Sequence, residues 1–478
     1  MELETKVVEK RRYSDVLASR YASTPLVNLW SAENKVVLER QLWVAALKAQ
    51  SDSGLDIPKA GIEAYERCIL SVNLKSIRER ELRILQDVKA RIEEFNALAG
   101  FELIHGGFTS RDQTDNVEQL QIRDSLLHVR DRSVAVLAHL RTKSVEFVLL
   151  DLCGRSHNVP GQTITLGKRI ANWAEELLIA FERLEHLISV YPLRGIKGAM
   201  GTQQDMADLL GSPEKALAFE NRIRQELGFG SVLDCVGQVY PRSLDFEVVS
   251  TLAQLGSACG NFAKMIRLMA GHELLHEGFR EGQTASSAMP HKINSRTCER
   301  INGLLNVLCG FQDMTSRLLG DQWNEGDVSC SVVRRVALPG AFFALDGIYE
   351  SALTVLAQMQ VFPEMIRQEL GRYLPFLSTT RLLMAAVKKG MGRETAHGII
   401  KQHAVVAIAG IRQGGGNTFL QRLAEDSGFP FTREEIQEHI QSPERGLSEM
   451  QVQKVGRRIS AVMEAYPAAV QYKPEPIL

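Results

Sequence analysis

Residues 278–296, GFREGQTASSAMPHKINSR, gather reactive groups between two strongly periodic segments. Ser286 and Ser287 precede Met289-Pro290, and Lys292 and Asn294 follow closely. A serine hydroxyl is a poor base in water and takes a proton only where its alkoxide is stabilised. Lys292 offers a cation, and a helix expected to begin near Ser295 offers N–H groups at its positive dipole end. The same spacing also describes a surface loop whose serines cap that helix. In 152–162, LCGRSHNVPGQ, His157 stands ahead of a helix expected over 163–191. An imidazole protonates leaving groups near neutral pH, or else bonds to backbone at a helix start. In 103–116, LIHGGFTSRDQTDN, His105 precedes Thr109-Ser110, whose hydroxyls and N–H groups suit either a carboxylate or a helix cap. A fourth polar loop, PLRGIKGAMGTQQ, spans 192–204.

His272-Glu273-Leu274-Leu275-His276 matches H-E-x-x-H. On one helix the two histidines can ligate zinc, with Glu273 as base, as in a metalloprotease. No glycine and third histidine follow at metzincin spacing, and positions 273 and 276 continue an apolar seam by four and three. They equally form the polar end of a packed helix.

Long helices must position these groups. Val248, Leu252, Leu255, Cys259, Phe262, Ile266 and Met269 step by four and three. Leu338 through Met359 and Ile170 through Tyr191 keep a similar rhythm, Ile301, Leu304, Leu308, Phe311 and Leu318 make a fourth stripe, and Leu120, Leu127 and Val134 start a fifth. Each stripe predicts one buried seam along a helix. Five helices of about 25–32 residues would run roughly 40–48 Å and pack as a bundle. One chain covers helices that long poorly, so the seams also predict burial against other subunits with closed symmetry. Residues 1–110 read as a unit of shorter helices, 111–363 as the central bundle and 364–478 as a C-terminal helical unit. Within the last lie a glycine-rich turn at 413–417 and an extended tail, KPEPIL. The fold class is all-α, with three mainly helical domains.

Composition limits the remaining options. Of 478 residues, 45% are hydrophobic and 24% charged, the balance of a globular protein with a large core. Lys+Arg is 56 against Asp+Glu 57, so the basic footprint of a general nucleic-acid binder is missing. The first fifteen residues carry no apolar signal region, and no uncharged apolar run is long enough to span a bilayer. Seven scattered cysteines without a C-x-x-C pair point to reduced thiols and a cytoplasmic setting.

The run SSAMPHKIN at 286–294 resembles the catalytic loop of the fumarase/aspartase superfamily, in which SSxMPxKxN is highly specific. Ser19-Arg20-Tyr21-Ala22, TSRD at 109–112, GRSHNV at 154–159, RGIKGAMGT at 194–202 and WNEGDVSCSVVRR at 323–335 are similar to adenylosuccinate lyases in particular. The resemblance covers essentially the whole chain. It implies a homotetramer built on a central bundle, with each active site shared by three subunits, and β-elimination of fumarate from a small nucleotide substrate. It implies Ser286 as general base and His157 as general acid. Lys292 and Asn294 would stabilise charge on the succinyl carboxylate, which Thr109 and Ser110 hold with help from His105. Arg20, Tyr21, Ser331 and Arg335 would hold phosphate and ribose, Gln238 would sit near the breaking bond, and Glu299 would orient the loop or His157. No cofactor, metal, nucleic acid or membrane enters that chemistry.

Two departures stand out. The family usually reads Arg-His-Asp where this chain has Leu85-Gln86-Asp87, so Gln86 and Asp87 line a substrate corner that lacks two potential cations. Asn294-Ser295 replaces the usual Asn-Pro, with Ser295 expected to cap the next helix.

Overall fold

The computed structural model describes residues 14–279, 289, 292–441 and 446–476. Ser286 therefore lies outside the described residues. The N-terminal helices are α1 (Val16–Arg20), α2 (Thr24–Leu29), α3 (Ala32–Asp52), α4 (Lys59–Cys68), α5 (Leu74–Ile84) and α6 (Asp87–Ala99). Then come α7 (Ser110–Glu146), strands β1 (Asp151–Ser156) and β2 (Val159–Thr165), α8 (Leu166–Val190), α9 (Gln204–Leu210) and α10 (Pro213–Glu226). The rest of the bundle is α11 (Ser243–Gly271), β3 (Leu275–His276), α12 (Arg296–Ser316) and α13 (Ser329–Gln358). β4 (Gln360–Val361), α14 (Pro363–Leu377), α15 (Thr379–Lys388), α16 (Arg393–Arg412), α17 (Phe419–Ala424), α18 (Arg433–Gln441), α19 (Gly446–Ala465) and α20 (Pro467–Val470) complete the described elements.

The five expected seams are the five long helices α7, α8, α11, α12 and α13, which pack on one another around a single large core. Trp173 of α8 meets Phe262 of α11 edge-on, with centroids 5.1 Å apart, where two seams cross. α7 runs through the middle, so it has no single apolar stripe: Val117, Leu120, Ile122, Leu126 and Val129 are all buried, and Leu127 is only half-buried. α13 is the one described helix long and apolar enough to cross a membrane, but 89% of its apolar window is buried within the protein. It is a core helix.

Smaller clusters flank the bundle. Trp43, Tyr65 and Phe95 centre one in the N-terminal helices, and Leu382 to Ile440 form another. α19 and α20 return to pack on the bundle, against α7, and α19 also against α8. Of the expected KPEPIL tail, residues 473–476 are described and follow without helix or strand, and 477–478 lie outside the described residues.

Several local expectations change. The 152–162 segment is not a loop before a helix but an antiparallel hairpin, β1–β2, paired from Asp151↔Thr165 to Ser156↔Val159. The 103–116 loop stops at Thr109, because α7 starts at Ser110 with Asp112 at its third position accepting the Thr109 N–H at 2.7 Å. The H-E-x-x-H stretch does not lie on one helix. His272 ends α11, Glu273 takes a positive φ of 61°, and His276 is in β3 with Nδ1 accepting from Gly278 N–H at 3.0 Å. The one-face spacing that zinc ligation needs is absent there.

Candidate active site

Most predicted substrate contacts converge where α7, α11 and α13 begin. On α7, Asp112, Asn116 and Gln119 recur by four and three on one face, so a polar ladder runs down an otherwise apolar helix. Asp112 is fully buried. Its Oδ1 accepts from Arg194 Nη1 at 2.5 Å and from the N–H groups of Lys197 and Gly198 at 2.9 and 3.1 Å. Asn116 exchanges two bonds with the Gly195 backbone, and Gln119 accepts the Arg194 N–H at 2.6 Å. The 192–198 loop is thus laced to the start of α7, with Thr109 and Ser110 at its edge.

Arg194 extends the lacing, since its Nη2 donates to Gly237 O at 3.2 Å. Gln238 is held next door by its N–H on Glu325 O at 2.7 Å. Gly237 permits that approach, because a Cβ there would stand 2.2 Å from Glu325 O. Ser331, in the first turn of α13, accepts from Arg111 Nη2 at 2.7 Å. Arg111 in turn meets Asp115 at 3.2 Å, and Arg242 meets the other Asp115 oxygen at 3.1 Å. Burial alone would raise the Asp115 carboxyl, but the guanidinium groups of Arg242, Arg334 and Arg111 outweigh it and hold it below the usual carboxylate range. The structure separates the two adjacent arginines. Arg334 is a buried core partner of Asp245, at 2.8 Å, whereas Arg335 is exposed and close enough to Asp87 to lower its carboxyl.

His105 has a defined tautomer. Trp43 Nε1–H donates to its Nδ1 at 3.1 Å, which leaves the proton on Nε2. Burial pushes the imidazole below its ordinary value, against the pull of Asp112. A neutral ring with its proton on Nε2 suits a carboxylate oxygen. Its folded value lies below the unfolded one of about 6.5, so its contribution to stability is present above that pH and lost as pH falls below it. A proton NMR titration of His105 is expected to place its midpoint below 6.5; a midpoint at or above that value contradicts the buried, Trp43-bonded state.

The corner at 85–87 is built as helix punctuation. Leu85 ends α5 in the left-handed region (φ 54°) and is 86% exposed. Gln86 caps α6, its Oε1 accepting the Lys89 N–H, and Asp87 pairs with Arg91 at 2.9 Å. Arg91 also reaches buried Glu39 at 2.8 Å.

The remaining predicted residues lie elsewhere. His157 and Asn158 form the two-residue turn of the β1–β2 hairpin, both with positive φ (53° and 60°). His157 is exposed beside a cavity of about 780 Å³ that reaches Asn261, Met269 and His272, at the end of α11. Gln238 precedes the start of that helix, whose 29 residues span roughly 43 Å. The expected acid and the expected carboxylate ligands are therefore at opposite ends of one chain. Lys292 and Asn294 lead into α12, also at the far end. Ser295 takes the N-cap position without a side-chain bond, contrary to expectation. Instead Glu277 accepts the N–H groups of Thr297 and Cys298 at 2.9 and 2.8 Å, so those two donors are not available to an alkoxide. Glu299 faces Arg267 at 3.8 Å. Arg20, exposed, ends α1, and Tyr21 follows it under the Arg300 guanidinium, 5.7 Å from the ring centroid.

Sequence reasoning missed Glu277, and it read Arg111 and Arg194 only inside the TSRD and RGIKGAMGT runs. Asp112 was likewise visible only as part of a motif. The signal that points to it is the 112/116/119 polar spacing inside a buried helix.

Residues 22–310 match a lyase family model, and 375–454 match the adenylosuccinate lyase C-terminus. The chain is 31% identical over 454 residues to adenylosuccinate lyase of Saccharomyces cerevisiae, covering 92% of this chain and 93% of that protein. It is 31% identical over 428 residues to that of Schistosoma mansoni, covering 88% and 89%. Among solved structures, 3-carboxy-cis,cis-muconate lactonizing enzyme from Pseudomonas putida superposes with a TM-score of 0.79 at 17% identity, covering 94% of this chain and all of that one. Fumarate lyase from Mesorhizobium sp. BNC1 gives 0.78 at 21% identity, covering 93% and 99%. These two share the helical architecture. With that architecture and matches along nearly the whole chain, this protein belongs to the adenylosuccinate lyase family of the fumarase/aspartase superfamily.

Proposed function

We propose that this chain releases fumarate by β-elimination from adenylosuccinate, giving AMP, and from its ribotide counterpart SAICAR, giving AICAR, in a cytoplasmic purine pathway. The proton removed lies next to a carboxylate and is very weakly acidic, so a second negative charge builds on that carboxylate. Donors aimed there carry much of the rate, typically about 3–4 kcal/mol each. Thr109, Ser110 and neutral His105 bind the carboxylate, with Lys292 and Asn294 stabilising the developing charge. Ser286 takes the proton, and His157 protonates the leaving nitrogen from the opposite side. Arg20, Tyr21, Ser331 and Arg335 hold phosphate and ribose, and Gln238 sits beside the breaking bond.

The observation that carries this reading is the distribution of these groups over both ends of the bundle. An acid at the opposite end of a helix roughly 43 Å long from the carboxylate site cannot serve it within one chain. A homotetramer, in which neighbouring subunits bring opposite ends together, completes three-chain sites. Apolar side chains on the outer faces of the long helices agree with such an assembly: Leu268, Val307, Val332 and Val336 are 41–71% exposed. The test is to incubate the full chain with adenylosuccinate and follow AMP and fumarate by ultraviolet absorbance, with argininosuccinate and fumarate plus ammonia as controls. Turnover of a control in place of adenylosuccinate overturns the substrate assignment.

Gln86 donates and accepts but carries no charge. Gln86→His is expected to lower KM roughly five-fold, since a charged bond exceeds a neutral one by about 1 kcal/mol. It is also expected to lose the α6 cap, at about 0.5–2 kcal/mol of stability. Unchanged kcat and KM would make the substitution immaterial.

A further inference from the structure

The tail beyond α20 is tied to the bundle by one side chain and one backbone group, both on Glu350 of α13. Tyr472 Oη donates to Glu350 Oε1 at 2.7 Å, and the Glu475 N–H donates to Glu350 Oε2 at 2.6 Å. Arg132 of α7 lies over the Tyr472 ring, 3.2 Å from its centroid. On its other side the tail grips the N-terminal segment. Glu475 Oε2 accepts both the Thr24 N–H, at 3.0 Å, and the Thr24 hydroxyl, at 3.1 Å.

Thr24 opens α2, three residues after Tyr21. The same turn is held from inside by α13. Asp346 Oδ2 accepts the Ser23 N–H at 2.6 Å, and Gly347 leaves room for Tyr21, whose Cβ would be 2.9 Å from a Cβ at that position. Helices of five and six residues, such as α1 and α2, have no independent stability, so these clamps decide where Arg20 and Tyr21 stand. A cavity of about 250 Å³ separates tail and segment, lined by Arg20, Tyr21, Thr24, Glu350, Glu475 and Pro476. Residues 471–476 lie beyond the stretch matched by the adenylosuccinate lyase C-terminus model, which ends at 454.

We propose that Glu475 is a positioning residue for substrate binding: through Thr24, the C-terminal strap sets the place at which Arg20 and Tyr21 meet the nucleotide. This rests on the reading of Arg20 and Tyr21 as phosphate and ribose contacts. Glu475 does not touch the substrate. It acts on binding and not on the chemical step, so its loss separates KM from kcat.

The test is steady-state kinetics of the full chain with adenylosuccinate, alongside thermal unfolding. Glu475→Ala removes the acceptor for two donors and is expected to raise KM about ten-fold with kcat within about two-fold. Glu475→Gln keeps one carbonyl oxygen, enough for both Thr24 donors, and is expected to stay near the parent. Tyr472→Phe is expected to fall between. A fall in Tm and kcat with KM unchanged marks a merely structural tail and overturns the proposal, as does equal impairment in the Ala and Gln variants. Arg20→Ala separates the two levels. If it raises KM while Glu475→Ala does not, the strap is wrong and the site reading stands; if it leaves KM unchanged, the site reading falls and the strap with it.

Discussion

His157→Asn is expected to lower kcat for adenylosuccinate by about 10²–10⁴, the usual contribution of a positioned general acid. Asparagine is the informative replacement. Position 157 has a φ of 53°, and alanine there would add a backbone penalty of about 1–2 kcal/mol to the chemical one. Asparagine accepts the same backbone, keeps a polar tip and carries no proton to the leaving nitrogen. The shared-site arrangement adds a second, independent readout. A His157→Asn protein and a Ser286→Ala protein, each nearly inactive, are expected to regain activity when their subunits exchange, because some mixed sites then hold both native groups. Persistent inactivity after proven exchange would sink the three-chain model. A His157→Asn enzyme with parental kcat would remove His157 as the acid.

The second large effect is on stability. Asp112→Ala is expected to destabilise the protein by about 3–5 kcal/mol, because it leaves the Arg194 guanidinium buried without its charge partner. Both side chains are fully buried, and the lost carboxylate also held the N–H groups of Thr109, Lys197 and Gly198. Denaturant unfolding at equal protein concentration, parent against variant, measures it. Removing both charges in Asp112→Leu/Arg194→Met is expected to cost less than the sum of the single changes, since no orphaned ion remains. A single-variant loss below about 1 kcal/mol would mean that water reaches and satisfies Arg194.

The bundle was legible in the sequence because period is a local signal. The seam from Val248 to Met269 reports α11 directly, and its length alone argued for burial against further chains. The hairpin was not legible, because β1 and β2 are short and half-exposed and their turn residues, His157-Asn158, read as loop. Residue types around the site were readable from motifs, yet their grouping was not. Asp112 and Arg194 are 82 residues apart, and nothing in the spacing announces that they touch. Nor does chain order reveal that His157 and Thr109, fewer than fifty positions apart, end up at opposite ends of the bundle. The cap of α12 shows the same limit: Ser295 has the right type and place, but a carboxylate from residue 277 reaches the helix first.

α7 has a further consequence. Its 37 unbroken residues carry the Asp112 lacing at one end, and toward the other His128, 2.9 Å from Asp346, and Arg132 on the tail. Adding or deleting one residue between these points turns everything downstream by about 100° and shifts it about 1.5 Å. No repacking restores both sets of contacts at once. Length changes among relatives are therefore expected to accumulate in connections such as the glycine-rich 413–417 turn, while α7 keeps a fixed residue count.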